Sequence, residues 1–232
     1  VAFSEAAPAE KEQREKSLAA VETALADLGK STDGPTLAEQ SDLDATILLE
    51  TQTIFERCHA QLLRAAGRRD AAGAAAKKLL AERLGDGDGD LEALVNDAVS
   101  TLAWATESGL PEAVEALADR PELIRDHAIL GFAAAAAEKA RGNQPQAESL
   151  AADAFEKTDG DFAARLQAGI MLAKWGCADW AIRCYAALVE DPQAPPEQLS
   201  LAATVYGELL HDLEREDEAA RCLGRFLEAL DR

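Results

Sequence analysis

Apolar and turn-forming residues alternate along the chain in a pattern that predicts many short α-helices. Eight clusters rich in Gly, Pro, Asp and Ser divide the apolar pattern into segments of roughly 12 to 20 residues, a typical helix length. These clusters are residues 29–35, 67–70, 85–90, 108–111, 142–145, 159–161, 176–179 and 191–196. Because only short turns separate consecutive helices, we expect antiparallel helix hairpins.

The predicted hairpins repeat every 34 residues. In residues 128–161 and 162–195, a small residue occupies the eighth place, a Gly forms the turn, and an Ala follows five residues after that Gly. These residues are Ala135, Gly142 and Ala147 in the first unit and Gly169, Gly176 and Ala181 in the second. The same register fits residues 53–86, 94–127 and 200–232. Such a period indicates a solenoid of stacked repeats, with small residues at close helix contacts.

This pattern resembles the tetratricopeptide repeat (TPR), a helix-turn-helix of the same length. Residues 162–195 match the family best, and residues 200–232 are next. The matching residues are Gly169, Gly176, Ala181, Tyr185 and Pro192, then Gly207 and Ala219. The other three units keep the small residues and the turn but lack the family's aromatic residues. Pro121 is expected to interrupt the second helix of residues 94–127.

The resemblance implies an all-α fold, an α-solenoid of antiparallel helix hairpins that forms a TPR-like superhelix. About five repeats would occupy residues 53–232. Residues 1–52 contain one long predicted helix, residues 10–29, and the start of another. These N-terminal helices would form a cap or a degenerate repeat.

Composition and charge narrow the possible partners. Ala supplies about 50 of the 232 residues, whereas Val and Ile together supply 13 and aromatic residues make up 5%. β-Sheets need β-branched and aromatic residues to cover their faces, so the chain is expected to be almost entirely helical. The formal net charge of −20 repels phosphate backbones and anionic lipids, so we expect no binding to nucleic acid or to membrane surfaces.

The longest apolar run, residues 131–137, is much shorter than a membrane-spanning helix of roughly 20 residues, so we expect no membrane insertion. The four cysteines lack a C-x-x-C pair and are expected to be small core residues of a reduced protein. They are Cys58, Cys177, Cys184 and Cys222. These features predict an acidic cytoplasmic protein. A periplasmic or secreted location stays open, because the sequence begins at Val1 and an upstream signal would have been lost.

No arrangement of residues predicts catalysis, a cofactor or a metal, and we expect no enzyme. The three His are scattered, and neither a nucleophile elbow nor a phosphate-binding Gly loop occurs. Gly and Asp alternate in residues 85–90 as in half of a calcium loop, but Leu91 stands where that loop needs Gly, which favours an acidic linker. Cys58 and His59 are adjacent, and no second Cys or His pair lies at zinc spacing.

In a TPR-like superhelix, residues at set places of the first helices line a concave groove. The resemblance assigns four apolar residues to its centre, Ile129, Phe132, Leu166 and Ile170, and four basic residues to its edges, Lys139, Lys174, Arg57 and Arg64. The last repeat contributes Leu201, Thr204, Glu208, His211 and Asp212. The Asn residues with which the family clamps a C-terminal carboxylate are absent, so the expected ligand is an amphipathic helix or an extended apolar segment. Alternatively, these apolar residues pack between repeats or against the N-terminal helix.

The predicted function is therefore that of a non-enzymatic protein–protein interaction scaffold, which binds a segment of a protein or peptide partner in the groove. One alternative is a self-association module, a possible homodimer in which the final helix, residues 219–230, pairs with a second copy through Leu223, Phe226 and Leu230. Another alternative is a regulatory or docking domain cut from a larger enzyme.

Overall fold

The structure, a computed structural model, describes residues 8–32, 42–85, 91–191 and 193–230. Throughout these ranges the regular secondary structure is helical, without any β-strand. This confirms the predicted all-α fold. The Gly-Asp alternation of the predicted acidic linker lies almost entirely outside the described residues.

The chain divides into two compact units, residues 1–86 and 87–232. The predicted boundary after residue 52 falls inside a helix, and the structure moves it to residue 86. The physical reason is that the N-terminal helix packs against the helix that contains residue 52, so both belong to one unit.

The first unit contains three helices, α1 (Pro8–Thr32), α2 (Asp42–Ala65) and α3 (Arg69–Leu84). The α2–α3 hairpin turns at Gly67, whose positive φ of 80° suits a residue without a side chain. α1 packs on α2, and an ion pair between Arg68 and Glu15 (2.9 Å) joins α1 to the turn. The core side chains of this unit are Leu18, Ala60, Leu63, Ala72, Ala76, Leu79, Leu80 and Leu84.

The second unit begins irregularly and continues as three helix hairpins. Its first part consists of α4 (Leu91–Glu107), a 3₁₀ helix (Pro111–Asp119) and the short helix α5 (Pro121–Asp126). The hairpins are α6 (Ala128–Ala140) with α7 (Gln144–Lys157), α8 (Phe162–Lys174) with α9 (Ala178–Glu190), and α10 (Pro196–Asp212) with α11 (Glu216–Leu230). The first helices of successive hairpins contact one another, α6 with α8 and α8 with α10.

Pro121 interrupts the second helix of residues 94–127, as predicted. The segment before it is a 3₁₀ helix, and α5 starts at Pro121, where the missing N–H of proline removes no helical hydrogen bond. The guanidinium of Arg141 connects this irregular segment to the α6–α7 turn. It binds Glu115 at 2.7 Å and Glu138 at 2.9 Å, and Asn143 donates a further hydrogen bond to Glu138 at 3.0 Å.

The turns of the three hairpins share one backbone geometry. Gly142 and Gly176 have φ values of 83° and 71°, and Glu214 occupies the same place in the last turn with a φ of 58°. In each turn, the residue after this position donates a hydrogen bond to a carbonyl five residues earlier. Left-handed backbone suits Gly and is unfavourable for Glu, so the last turn is strained where the other two are relaxed.

Small residues bring the two helices of each hairpin close together. An ideal Cβ on Gly169 would lie 2.5 Å from Cε1 of Tyr185, so the Tyr185 ring lies directly on the α8 backbone. Tyr185 is buried and also packs against Tyr206 of α10, with ring centroids 6.0 Å apart. One core cluster therefore extends from the α6–α7 hairpin through the α8–α9 hairpin to α10, and α10 and α11 share a second, smaller cluster.

Candidate binding surface

The structure places most of the predicted groove centre in the core. Phe132 has no exposed surface and meets Phe155 edge to face, with ring centroids 4.9 Å apart. Leu166 is buried as well. Ile129 and Ile170 are only partly buried, but both pack against the same core cluster. The prediction that Phe132 and Leu166 offer their side chains to a partner is therefore corrected.

The reason is the complete enclosure of α6. Residues 130–138 are all buried, because α6 contacts α4, the 3₁₀ helix, α5, α7 and α8. A helix that is covered on every side has no free face to line a groove. The predicted groove is thus filled at α6, whereas the later first helices, α8 and α10, keep an exposed side.

The four predicted basic residues are divided between the two units. Lys139 lies over the ring of Trp180, with Nζ 4.9 Å from the ring centroid, and so connects α6 to α9. Lys174 is exposed at the end of α8. Arg57 is partly buried and Arg64 is exposed, and both belong to α2 of the first unit.

The exposed sides of α8 and α10 form what we call the first-helix face. On α8, the predicted groove residues that belong to this face are Ile170 and Lys174. The α10 places that the TPR register assigns to a groove are all exposed; they are Leu201, Thr204, Glu208, His211 and Asp212. Leu201 is 48% exposed, a large fraction for a leucine. The face is therefore mixed in character, with apolar, hydroxyl and charged groups within two neighbouring helices.

A second exposed apolar surface lies on α11. Leu223 is 44% exposed and Leu227 is 60% exposed, and they stand four residues apart on one side of the helix. We call Leu223, Gly224 and Leu227 the terminal surface. Phe226, which was expected to be exposed, packs partly buried against the core of the last hairpin. The side chain of Leu230 lies outside the described residues. Sequence reasoning missed Leu227, although its spacing from Leu223 was a sufficient signal.

The thiols offer no reactive centre in the second unit. Cys177, Cys184 and Cys222 are buried, as predicted, and burial raises the pKa of each thiol, that of Cys184 to about 12. Thiols with raised pKa values are poor nucleophiles and poor metal ligands at neutral pH. Cys58 is exposed on α2, which corrects its prediction as a core residue.

Two further observations concern metals and membranes. Among the residues that the structure describes, no group of three or more His, Cys, Asp or Glu side chains could hold a metal ion. None of the helices in the described ranges combines the length and the apolar character that a bilayer-spanning segment requires.

Comparison with known proteins yields little. No protein-family model matches the chain, and no curated protein matches it. A solved structure described as BtubC (BKLC) from P. vanneervenii is similar over 94% of this chain and 91% of that chain, with 15% sequence identity and a TM-score of 0.39. A similarity of this size does not bear on function.

Proposed function

We propose that this chain is a non-enzymatic, TPR-like helical-repeat scaffold that binds a segment of a partner protein on its first-helix face. The observation that carries the proposal is Leu201. It occupies a place that the TPR register assigns to the binding groove, and it is 48% exposed without serving the core.

The chemistry of the face suits a short segment with both apolar and charged groups. Ile170 and Leu201 supply apolar contact area. Lys174 on α8 and Glu208 on α10 supply opposite charges that orient a ligand and select its charge pattern more than they raise its affinity. The enclosure of α6 limits such a segment to about two helices of the scaffold, which favours a short linear ligand over a long one.

The test compares the proteins that wild-type and Leu201→Glu chains retain from a lysate of the source organism. Leu91→Glu is the matched control, because Leu91 is 51% exposed, similar to Leu201, and begins α4, outside the first-helix face. We expect Leu201→Glu to lose a protein that the wild type and Leu91→Glu both retain. If all three chains retain the same proteins, the first-helix face is not the binding site.

A further inference from the structure

The last two hairpins differ in how much of their second helix is covered. A side of α9 is covered by α10, and the equivalent side of α11 is exposed. Tyr185 stands four residues after Ala181 on α9 and is 1% exposed, because Tyr206 of α10 packs against it. Leu223 stands four residues after Ala219 on α11 and is 44% exposed. Among the residues that the structure describes, no helix takes beside α11 the place that α10 takes beside α9.

The contacts of α10 show which helix fits such a side. Four α10 residues pack against the core cluster of α8 and α9, and their spacing is i, i+3, i+4 and i+7, one face of a helix. They are Ala202, Val205, Tyr206 and Leu209. On α11 itself, Gly224 has open space where a Cβ would stand, so a ligand helix can approach the α11 backbone closely.

The charges around the terminal surface select the charge of this helix. Glu216 and Asp217 stand seven residues before Leu223 and Gly224, which places their exposed carboxylates on the same side of α11. Arg221 and Arg225 lie on the other side and line a cleft against α9, where Arg225 binds Glu190 at 2.7 Å. The terminal surface thus combines apolar side chains with the acidic first turn of α11, in which Glu216 also contacts Nδ1 of His211 at 2.6 Å. A second copy of this chain would bring the same acidic turn and a net charge of −20.

From these observations we propose that the terminal surface binds a cationic amphipathic helix of a partner protein, with apolar residues at i, i+3, i+4 and i+7. The site is separate from the first-helix face and does not depend on the function proposed for that face. Its apolar contact area comes from Leu223 and Leu227, and its preference for a basic ligand comes from Glu216 and Asp217.

The test uses a peptide that copies α10, residues 196–212, as a fluorescently labelled probe. The peptide is made in two forms. In the cationic form, Leu210→Gln removes the apolar group that faces α11 in the native hairpin, and Glu208→Lys and Asp212→Lys supply positive charge. The acidic form keeps Glu208 and Asp212. Fluorescence anisotropy measures the binding of each peptide to the whole chain at low and high salt, and circular dichroism checks that each chain variant is folded.

We expect saturable binding of the cationic peptide that weakens as salt is raised. The acidic peptide should bind at least tenfold more weakly. Leu227→Ser should also weaken the cationic peptide at least tenfold, and because Leu227 is 60% exposed, its replacement should leave the fold intact. Leu201→Ser is the control and should leave peptide binding unchanged, which separates this site from the first-helix face.

Four results would overturn the proposal. The first is the absence of saturable binding by the cationic peptide. The second is equal affinity of that peptide for wild type and Leu227→Ser, and the third is equal affinity of the two peptides for wild type. The fourth is a dimer in sedimentation experiments without peptide that Leu227→Ser abolishes, because a second copy would then occupy the surface.

Discussion

Two glycines within helices of the second unit should respond in opposite directions to the same substitution. Gly169 of α8 faces the ring of Tyr185, and an added Cβ would lie 2.5 Å from Cε1 and 2.9 Å from Cδ1 and Cζ. Carbon atoms in contact normally stand about 3.5–4.0 Å apart, so the ring would have to move by about 1 Å. It cannot do so freely, because Tyr185 is 1% exposed and packs against Tyr206 on its other side.

The free-energy change follows from two opposing terms. Overpacking a core costs about 1–3 kcal/mol. Because the approach at Gly169 is so close, we expect a cost at the upper end of this range. Replacing a helical Gly by Ala gains about 1 kcal/mol in helix propensity. Gly169→Ala should therefore lower the free energy of unfolding by about 2 kcal/mol. Gly224→Ala meets nothing within 4 Å and should raise it by about 1 kcal/mol.

Urea denaturation followed by tryptophan fluorescence measures both effects. The three tryptophans, Trp104, Trp175 and Trp180, all belong to the second unit, so the signal reports the unfolding of that unit alone. Gly207→Ala is an informative third variant, because its Cβ would stand 3.5 Å from Leu223, an ordinary contact distance, and should be tolerated. A neutral or stabilising Gly169→Ala would refute the close packing of Tyr185 on α8.

Three further predictions concern the last turn, the thiols and the partly buried ion pair of Arg141 with Glu138. Glu214→Gly should stabilise the second unit by about 1 kcal/mol in the same urea assay, because it relieves a positive φ of 58°, and an unchanged midpoint would contradict this. At pH 8 a thiol reagent should modify Cys58 rapidly and the other three cysteines only after denaturation. The pKa of Cys184, for example, is about 12, which leaves roughly one Cys184 thiol in ten thousand ionised. Rapid reaction of all four cysteines would be inconsistent with the burial of those three. Arg141→Met should lower the free energy of unfolding by about 2 kcal/mol, because it leaves the buried Glu138 carboxylate without its cation. Arg125→Met removes one partner of an exposed pair and should not shift the urea midpoint. Equal midpoints for both variants would argue against the Glu138 network.

The sequence was sufficient to predict the hairpins because their signals are local. Gly142 and Gly176 mark turns by their conformational freedom, and the spacing between them gives the repeat. Pro121 likewise marks an interruption through a property of its own backbone nitrogen. Each of these residues affects the backbone only within a few positions of itself, so the local sequence is enough to predict where a helix turns or ends.

The candidate site could not be predicted equally well, because exposure depends on distant parts of the chain. Phe132 and Thr204 both occupy the fifth place of their units, yet Phe132 is fully buried and Thr204 is exposed. The difference arises because α4, the 3₁₀ helix and α5 cover α6, whereas none of the described helices covers α10 on that side. A repeat register treats all units as equal and therefore has no information about what surrounds each of them.

The enclosure of α6 also has a consequence for the order in which the second unit unfolds. Arrays of repeats commonly open from an end, because each repeat contacts only its neighbours. The amide hydrogens of residues 130–138 cannot exchange with solvent until the helices around α6 separate, whereas those of α11 need only the last helix to detach. Native-state hydrogen exchange should therefore find its slowest amides in α6 and its fastest helical amides in α11, the helix that carries the terminal surface. A ligand bound there would slow exchange in α11 while leaving the exchange rates of α6 unchanged.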